Sequence, residues 1–143
     1  MILVVDDEPS NRRTLKMVLE RDNHSVIEAE NGRVALRILQ EDAPALMITD
    51  LKMPHLNGME LLKQSKELHP QMEVIVMTAY GTIDTAVEAM RRGAWDFISK
   101  PIKRGELLRA VHKALQKRSL YARGSHLATR PVQDLVRRGS PGA

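Results

Sequence analysis

A doubly wound α/β fold, with five strands in one parallel sheet, is what this sequence predicts, and three observations predict it. Five short apolar runs, Ile2–Val5, Ser25–Ala29, Leu46–Thr49, Val74–Met77 and Phe97–Ser99, alternate with longer segments of helical periodicity. The first, third and fourth runs are continuously aliphatic or β-branched, as expected of strands buried on both faces of a parallel sheet. The 143 residues suffice for one core and a short tail.

The elements follow in order. After Ile2–Val5, Pro9 and Ser10 open a first helix with Leu15, Val18 and Leu19 as its stripe. The second run alternates only partly and reads as an edge strand. Asn31-Gly32 precedes a second helix carrying Val34, Ala35, Ile38 and Leu39. Asn57-Gly58 opens a third with Leu61, Leu62 and Leu68 inward. Ile83, Ala86, Val87 and Met90 line a fourth, with Gly93 as its C-cap. Leu107, Leu108, Val111 and Leu115 line the fifth. Repeated strand–helix units argue right-handed crossovers.

Periodicity fails after about Arg118, so the expected organisation is a domain over 1–118 and a linker or vector-derived tail over 119–143. LVRRGS and RGSH have the look of cloning sequence. The charge divides the same way. Residues 1–118 hold 18 Lys+Arg against 17 Asp+Glu, and 119–143 hold 4 against 1. A near-neutral domain with 3% aromatic residues lacks the basic, stacking surface of a nucleic-acid binder. No apolar run reaches bilayer length, and the start is not a secretory signal. The absence of cysteine excludes disulfides and thiolate sites and fits a cytoplasmic setting.

Ligands of open parallel sheets bind beyond the carboxyl ends of the strands. There the sequence places Asp6-Asp7-Glu8, Asp50, Thr78 and Lys100-Pro101. Taken singly, each has an ordinary explanation as a cap, a strand-end residue or a solvated lysine. Together, three converging carboxylates repel unless a cation joins them. An all-oxygen donor set suits Mg²⁺. A carboxylate beside Mg²⁺, a hydroxyl and a lysine is a setting for phosphoryl transfer to Asp.

LVVDDE at 3–8, ITDLKMPHLNG at 48–58, VMTAYG at 76–81 and GAWDFISKP at 93–101 resemble the receiver domain of two-component response regulators, over residues 1 to about 118. The resemblance implies a flavodoxin-like (βα)5 fold with strand order 2-1-3-4-5. Asp50 would then accept a phosphoryl group from a sensor histidine kinase. Asp7, Asp50 and the Lys52 carbonyl would bind Mg²⁺ directly, and Asp6 through water. Lys100 would contact a phosphoryl oxygen, across a cis bond to Pro101. Thr78 and Phe97 would form the switch, and Lys52 and Tyr80 would govern phosphoryl lifetime, with slow self-dephosphorylation. The segment from Thr78 to Ile102 resembles receivers of sigma-54-dependent, nitrogen-regulator-type activators. Such receivers dimerise through helix 4, strand 5 and helix 5, here Arg91, Arg92, Asp96, Lys103 and Arg104. The kinase would dock on helix 1, at Arg12, Arg13, Leu15 and Lys16. The output implied is transcriptional, lying beyond Leu120; no nucleic acid or membrane is expected to bind this segment.

Other readings fit less well. A Mg²⁺-dependent phosphohydrolase usually has a second Asp two residues past the nucleophile, where Lys52 stands. A pseudo-receiver would lack part of the intact acidic, Thr and Lys set. A nucleotide binder would have a Gly-rich loop after strand one. The histidines at 24, 55, 69, 112 and 126 are scattered without ligand spacing, and none is expected to be a ligand. His55 and Met53-Pro54 read as loop elements, Gly81 as a hinge, the methionines as core filling, and Trp95 as packing near the start of strand five.

Overall fold

The computed structural model describes residues 1–54, 56–79 and 83–127. His55, Tyr80, Gly81 and the tail from 128 onward lie outside the described residues. The order is β1 (Ile2–Val5), α1 (Pro9–Arg21), β2 (Val26–Ala29), α2 (Gly32–Glu41), β3 (Leu46–Asp50), α3 (Gly58–Leu68), β4 (Glu73–Thr78), α4 (Ile83–Arg91), β5 (Asp96–Ser99) and α5 (Arg104–Leu127). All strands pair in parallel in the order β2-β1-β3-β4-β5. The doubly wound fold and the edge position of the second strand are as the sequence predicts. The helical backbone of α5 continues past Arg118, where apolar periodicity stops.

Period-two alternation along the strands sorts the core into two layers. Leu3, Val5, Met47, Val74 and Val76 face Ala35, Leu39, Leu61, Leu62 and Ala89 of α2, α3 and α4. Ile2, Val4, Leu46, Ile48, Ile75 and Met77 face Leu15 and Leu19 of α1 and Leu107, Val111 and Ala114 of α5. Both faces of β1, β3 and β4 are therefore covered, which is why their sequences show no polar alternation.

Local signals start and stop the helices. Asn31 and Asn57 accept hydrogen bonds from Val34 N–H and Glu60 N–H, each at 2.9 Å, capping α2 and α3. Pro9 opens α1. After α4, the Gly93 N–H bonds Met90 O at 3.2 Å with φ +112°, the left-handed conformation expected of a glycine C-cap. Three side chains depart from the expected stripes. Leu68 is 46% exposed, because it ends α3 where the face lined by Leu61, Leu62 and Ser65 runs out. On α4, among the described side chains, Ala86 and Ala89 are buried, while Val87 and Met90 are 43% and 38% exposed.

Candidate phosphoryl-accepting site

The order β2-β1-β3 reverses the winding between β1 and β3, which opens a crevice at their carboxyl ends. Asp6 follows β1 and Asp50 ends β3, both buried, while Asp7 is exposed. One carboxylate oxygen from each of these three lies within 4.8 Å of the others. Thr78 ends β4 and is buried. Lys100 follows β5, and its N–H bonds the Thr78 carbonyl at 2.8 Å, tying the ends of β4 and β5 together. The Lys100–Pro101 bond is cis.

Lys100 reaches across the sheet edge to the acids. Its Nζ donates to Asp50 Oδ2 at 2.6 Å and lies 3.6 Å from Asp6 Oδ2. Burial works against its charge, but the Asp50 bond and the charges of Asp50, Asp6 and Glu8 prevail and hold it above the ordinary lysine value. The other Asp50 oxygen accepts from Lys52 N–H at 3.1 Å. Lys52 therefore meets the site through its backbone, with its side chain exposed.

Asp6 is the most constrained of the acids. Its Oδ1 accepts from Glu8 N–H at 2.9 Å, whereas the buried Oδ2 has no hydrogen-bond partner. Burial raises its carboxyl above the usual range, and the neighbouring Asp50 and Asp7 push the same way; the Glu8 N–H and Lys100 oppose them without prevailing. A buried carboxylate oxygen without a donor, among three acids and one lysine, is a site that a hard cation completes. The residues present thus fit Mg²⁺.

Two contributors escaped sequence reasoning. Gly58 backs the strand that ends in Asp50: a Cβ there would lie 2.4 Å from Asp50 O and 2.5 Å from Leu51 Cα. The Gly58 N–H also bonds Leu51 O at 3.0 Å. The dipeptide Asn57-Gly58 signalled a helix start, but not this approach to β3. Arg12, expected on a docking surface, instead donates Nη1 to Asp6 O at 2.6 Å and pairs with Glu28 at 3.4 Å. Leu15, expected there too, is buried in the core. Arg13 and Met17 remain exposed on α1, and the Lys16 side chain is 41% exposed.

Phe97 pairs with Val76 in register and packs, half-buried, against the core layer beneath α2–α4. Arg91, Arg92, Lys103 and Arg104 are exposed and Asp96 half-buried. Trp95 precedes β5, its N–H bonding Val74 O at 2.7 Å, and so lies at the amino-terminal edge of the sheet, opposite the site. Among the described residues, no helix is long and apolar enough to cross a membrane.

The crevice, the acidic triad and the lysine on one sheet edge define a signalling α/β domain of the receiver class. The family model described as the response regulator receiver domain matches residues 2–112, and the chain belongs to that family. Among curated relatives, it is 36% identical over 116 residues to the transcriptional regulatory protein GlrR of Escherichia coli, covering 81% of this chain and 26% of GlrR. It is 38% identical over 126 residues to the regulatory protein AtoC of the same organism, covering 88% and 27%. The chain thus spans about a quarter of these relatives' length. Among solved structures, a receiver domain protein from Clostridium thermocellum superposes with TM-score 0.80 at 37% identity, covering 84% of this chain and 97% of that one. NtrX from Brucella abortus gives 0.85 at 37% identity, covering 88% and 29%.

Proposed function

We propose that this domain accepts a phosphoryl group on Asp50 from a sensor histidine kinase and switches a transcriptional output domain in response. The observation that carries the reading is the convergence of Asp6, Asp7, Asp50 and Lys100 at one sheet edge, with a buried Asp6 oxygen lacking a donor. Asp7, Asp50 and the Lys52 carbonyl would hold Mg²⁺ directly and Asp6 through water; bound there, the ion neutralises charge on the transferring group's oxygens. An Asp50 carboxylate oxygen forms the new bond to phosphorus as the phosphorus–nitrogen bond to the kinase histidine breaks. The imidazole leaves as the neutral ring after taking up a proton. Lys100, held cationic, moves from the Asp50 carboxylate to a phosphoryl oxygen.

Thr78 then bonds the phosphoryl group and draws the following loop inward, and Phe97 turns into the space released. Phe97 has no hydroxyl, so nothing polar holds its outward position. The face of α4, β5 and α5, with Arg91, Arg92, Asp96, Lys103 and Arg104, becomes the homodimer surface. Lys52 and Tyr80 set the lifetime of the acyl phosphate, and self-dephosphorylation is slow. The closeness to GlrR and AtoC favours an activator of the sigma-54-dependent group acting in the cytoplasm. On this reading the domain is a switch that catalyses its own phosphorylation rather than a turnover enzyme. The test is incubation with acetyl phosphate and Mg²⁺ followed by intact-mass analysis. One added phosphoryl group, absent in Asp50→Asn and without Mg²⁺, supports the reading. An unmodified wild type in the presence of Mg²⁺ leaves a pseudo-receiver.

A further inference from the structure

A second gathering of ligating side chains stands at the far end of α1, and the phosphoryl site makes no use of it. Asp22 follows α1, and its Oδ2 lies 3.0 Å from His24 Nε2 and 2.6 Å from His112 Nε2. One ligand atom from each of the three residues lies within 4.8 Å of the others. His112 belongs to α5, ninety positions from Asp22, so the fold alone creates the group. The spacing of the histidines along the sequence gave no sign of this grouping.

The cluster is held on one side by backbone hydrogen bonds and on the other by core packing. The N–H groups of Asn23 and His24 bond Glu20 O and Leu19 O at 3.0 Å each. Asn23 takes φ +68°, a left-handed conformation that Asn tolerates, and this turns His24 back beside Asp22. His112 rises from a helix anchored in the core by Leu107, Val111 and Ala114. The His24 and His112 rings stand 6.2 Å apart between centroids and are tilted by 50°, so they are not stacked.

We propose that Asp22, His24 and His112 form a zinc-binding site that clips the end of α1 to α5. Two imidazole nitrogens and one carboxylate oxygen are a donor set for Zn²⁺, whereas Mg²⁺ takes oxygen ligands. Metal–ligand bonds of about 2.0–2.2 Å in a tetrahedron place neighbouring ligand atoms roughly 3.3–3.5 Å apart. The present 2.6 and 3.0 Å separations are hydrogen bonds that small side-chain rotations open to that spacing. Zn²⁺ takes the position of the protons that the two Nε2 atoms offer Asp22, each ring then carrying its proton on Nδ1. The His112 side chain is 56% exposed, which leaves an entry path and a fourth position for water.

The test uses the full 143-residue chain with excess Mg²⁺ present to fill the acidic crevice. Titration with zinc chloride by calorimetry is expected to show one equivalent bound, with a raised Tm reversed by a zinc-selective chelator. His24→Gln and His112→Gln should each weaken zinc binding by about tenfold or more and remove the Tm rise. Asp22→Asn, which keeps a hydrogen-bond acceptor at the turn, should do likewise. Failure of wild type to bind zinc at micromolar concentration overturns the proposal, since the cluster is then held by protons alone. Undiminished zinc binding in both histidine variants overturns it equally.

Discussion

Asp6 carries an unfavourable charge in the metal-free domain. Its carboxyl is fully buried, Oδ2 has no donor, and burial together with Asp50 and Asp7 raises its pKa. An acid whose folded pKa exceeds its unfolded value binds more protons when folded, so its contribution to stability falls as pH rises from about 3.9 through the raised value. Above that window the penalty is complete. Asp6→Asn should therefore raise the Tm of the metal-free chain at neutral pH, and metal-free stability should improve on acidification within the window, as far as Asp6 alone is concerned. Thermal unfolding of both proteins, in chelator and across pH, checks this. A lower Tm for the variant in chelator contradicts it. Gly58 acts oppositely, by what it lacks. Because the obstructing atoms are backbone at Asp50 and Leu51, Gly58→Ala must move the β3–α3 connection itself. The expected cost is about 1–3 kcal/mol, read as a lower urea midpoint, together with slower acceptance of phosphoryl by a displaced Asp50.

Among the elements, α4 departs furthest from its expected burial. The alanines at 86 and 89 face the sheet, while Val87 and Met90 face solvent beside the exposed Arg91. Apolar side chains on an exposed face of the segment proposed to dimerise are the natural contacts for a second copy. Val87→Lys with Met90→Glu should leave the metal-free urea midpoint within the roughly 0.5 kcal/mol typical of surface changes, yet abolish association in beryllofluoride and Mg²⁺. Sedimentation velocity separates the outcomes; retained dimerisation would place the interface elsewhere. The sequence showed each helix through its periodicity, but it could not show which side of a weak stripe a small residue would win. Nor could it show that the final turn of α3 leaves Leu68 at the rim. Strand types followed from continuous β-branched runs, whereas the order of the strands came from family resemblance, since periodicity is silent on pairing.

For the molecule as a whole, the acidic crevice was legible because its residues stand directly after strands, where the fold rule puts ligands. The Asp22–His24–His112 cluster was not, because contact between residues far apart in sequence depends on how α1 and α5 pack on one face of the sheet. The Arg12 bond to the Asp6 carbonyl and the Gly58 approach to Asp50 are local, and they were hidden because periodicity does not show how the β1–α1 and β3–α3 connections turn. Cation binding should act on the whole fold. If Mg²⁺ binds only the folded chain, a hundredfold excess over Kd adds about 2.7 kcal/mol. Wild type should gain Tm with Mg²⁺ accordingly, and Asp7→Asn should lose most of the gain. Trp95 is a poor reporter of that event, since it lies at the opposite edge of the sheet with Lys117 5.1 Å from its ring centroid. Mass is the better readout. The decisive experiment is intact-mass analysis of wild type and Asp50→Asn after acetyl phosphate treatment with and without Mg²⁺. The account predicts one phosphoryl group on wild type, only with Mg²⁺, and none on the variant. An unmodified wild type in Mg²⁺, or equal modification of Asp50→Asn, would contradict it.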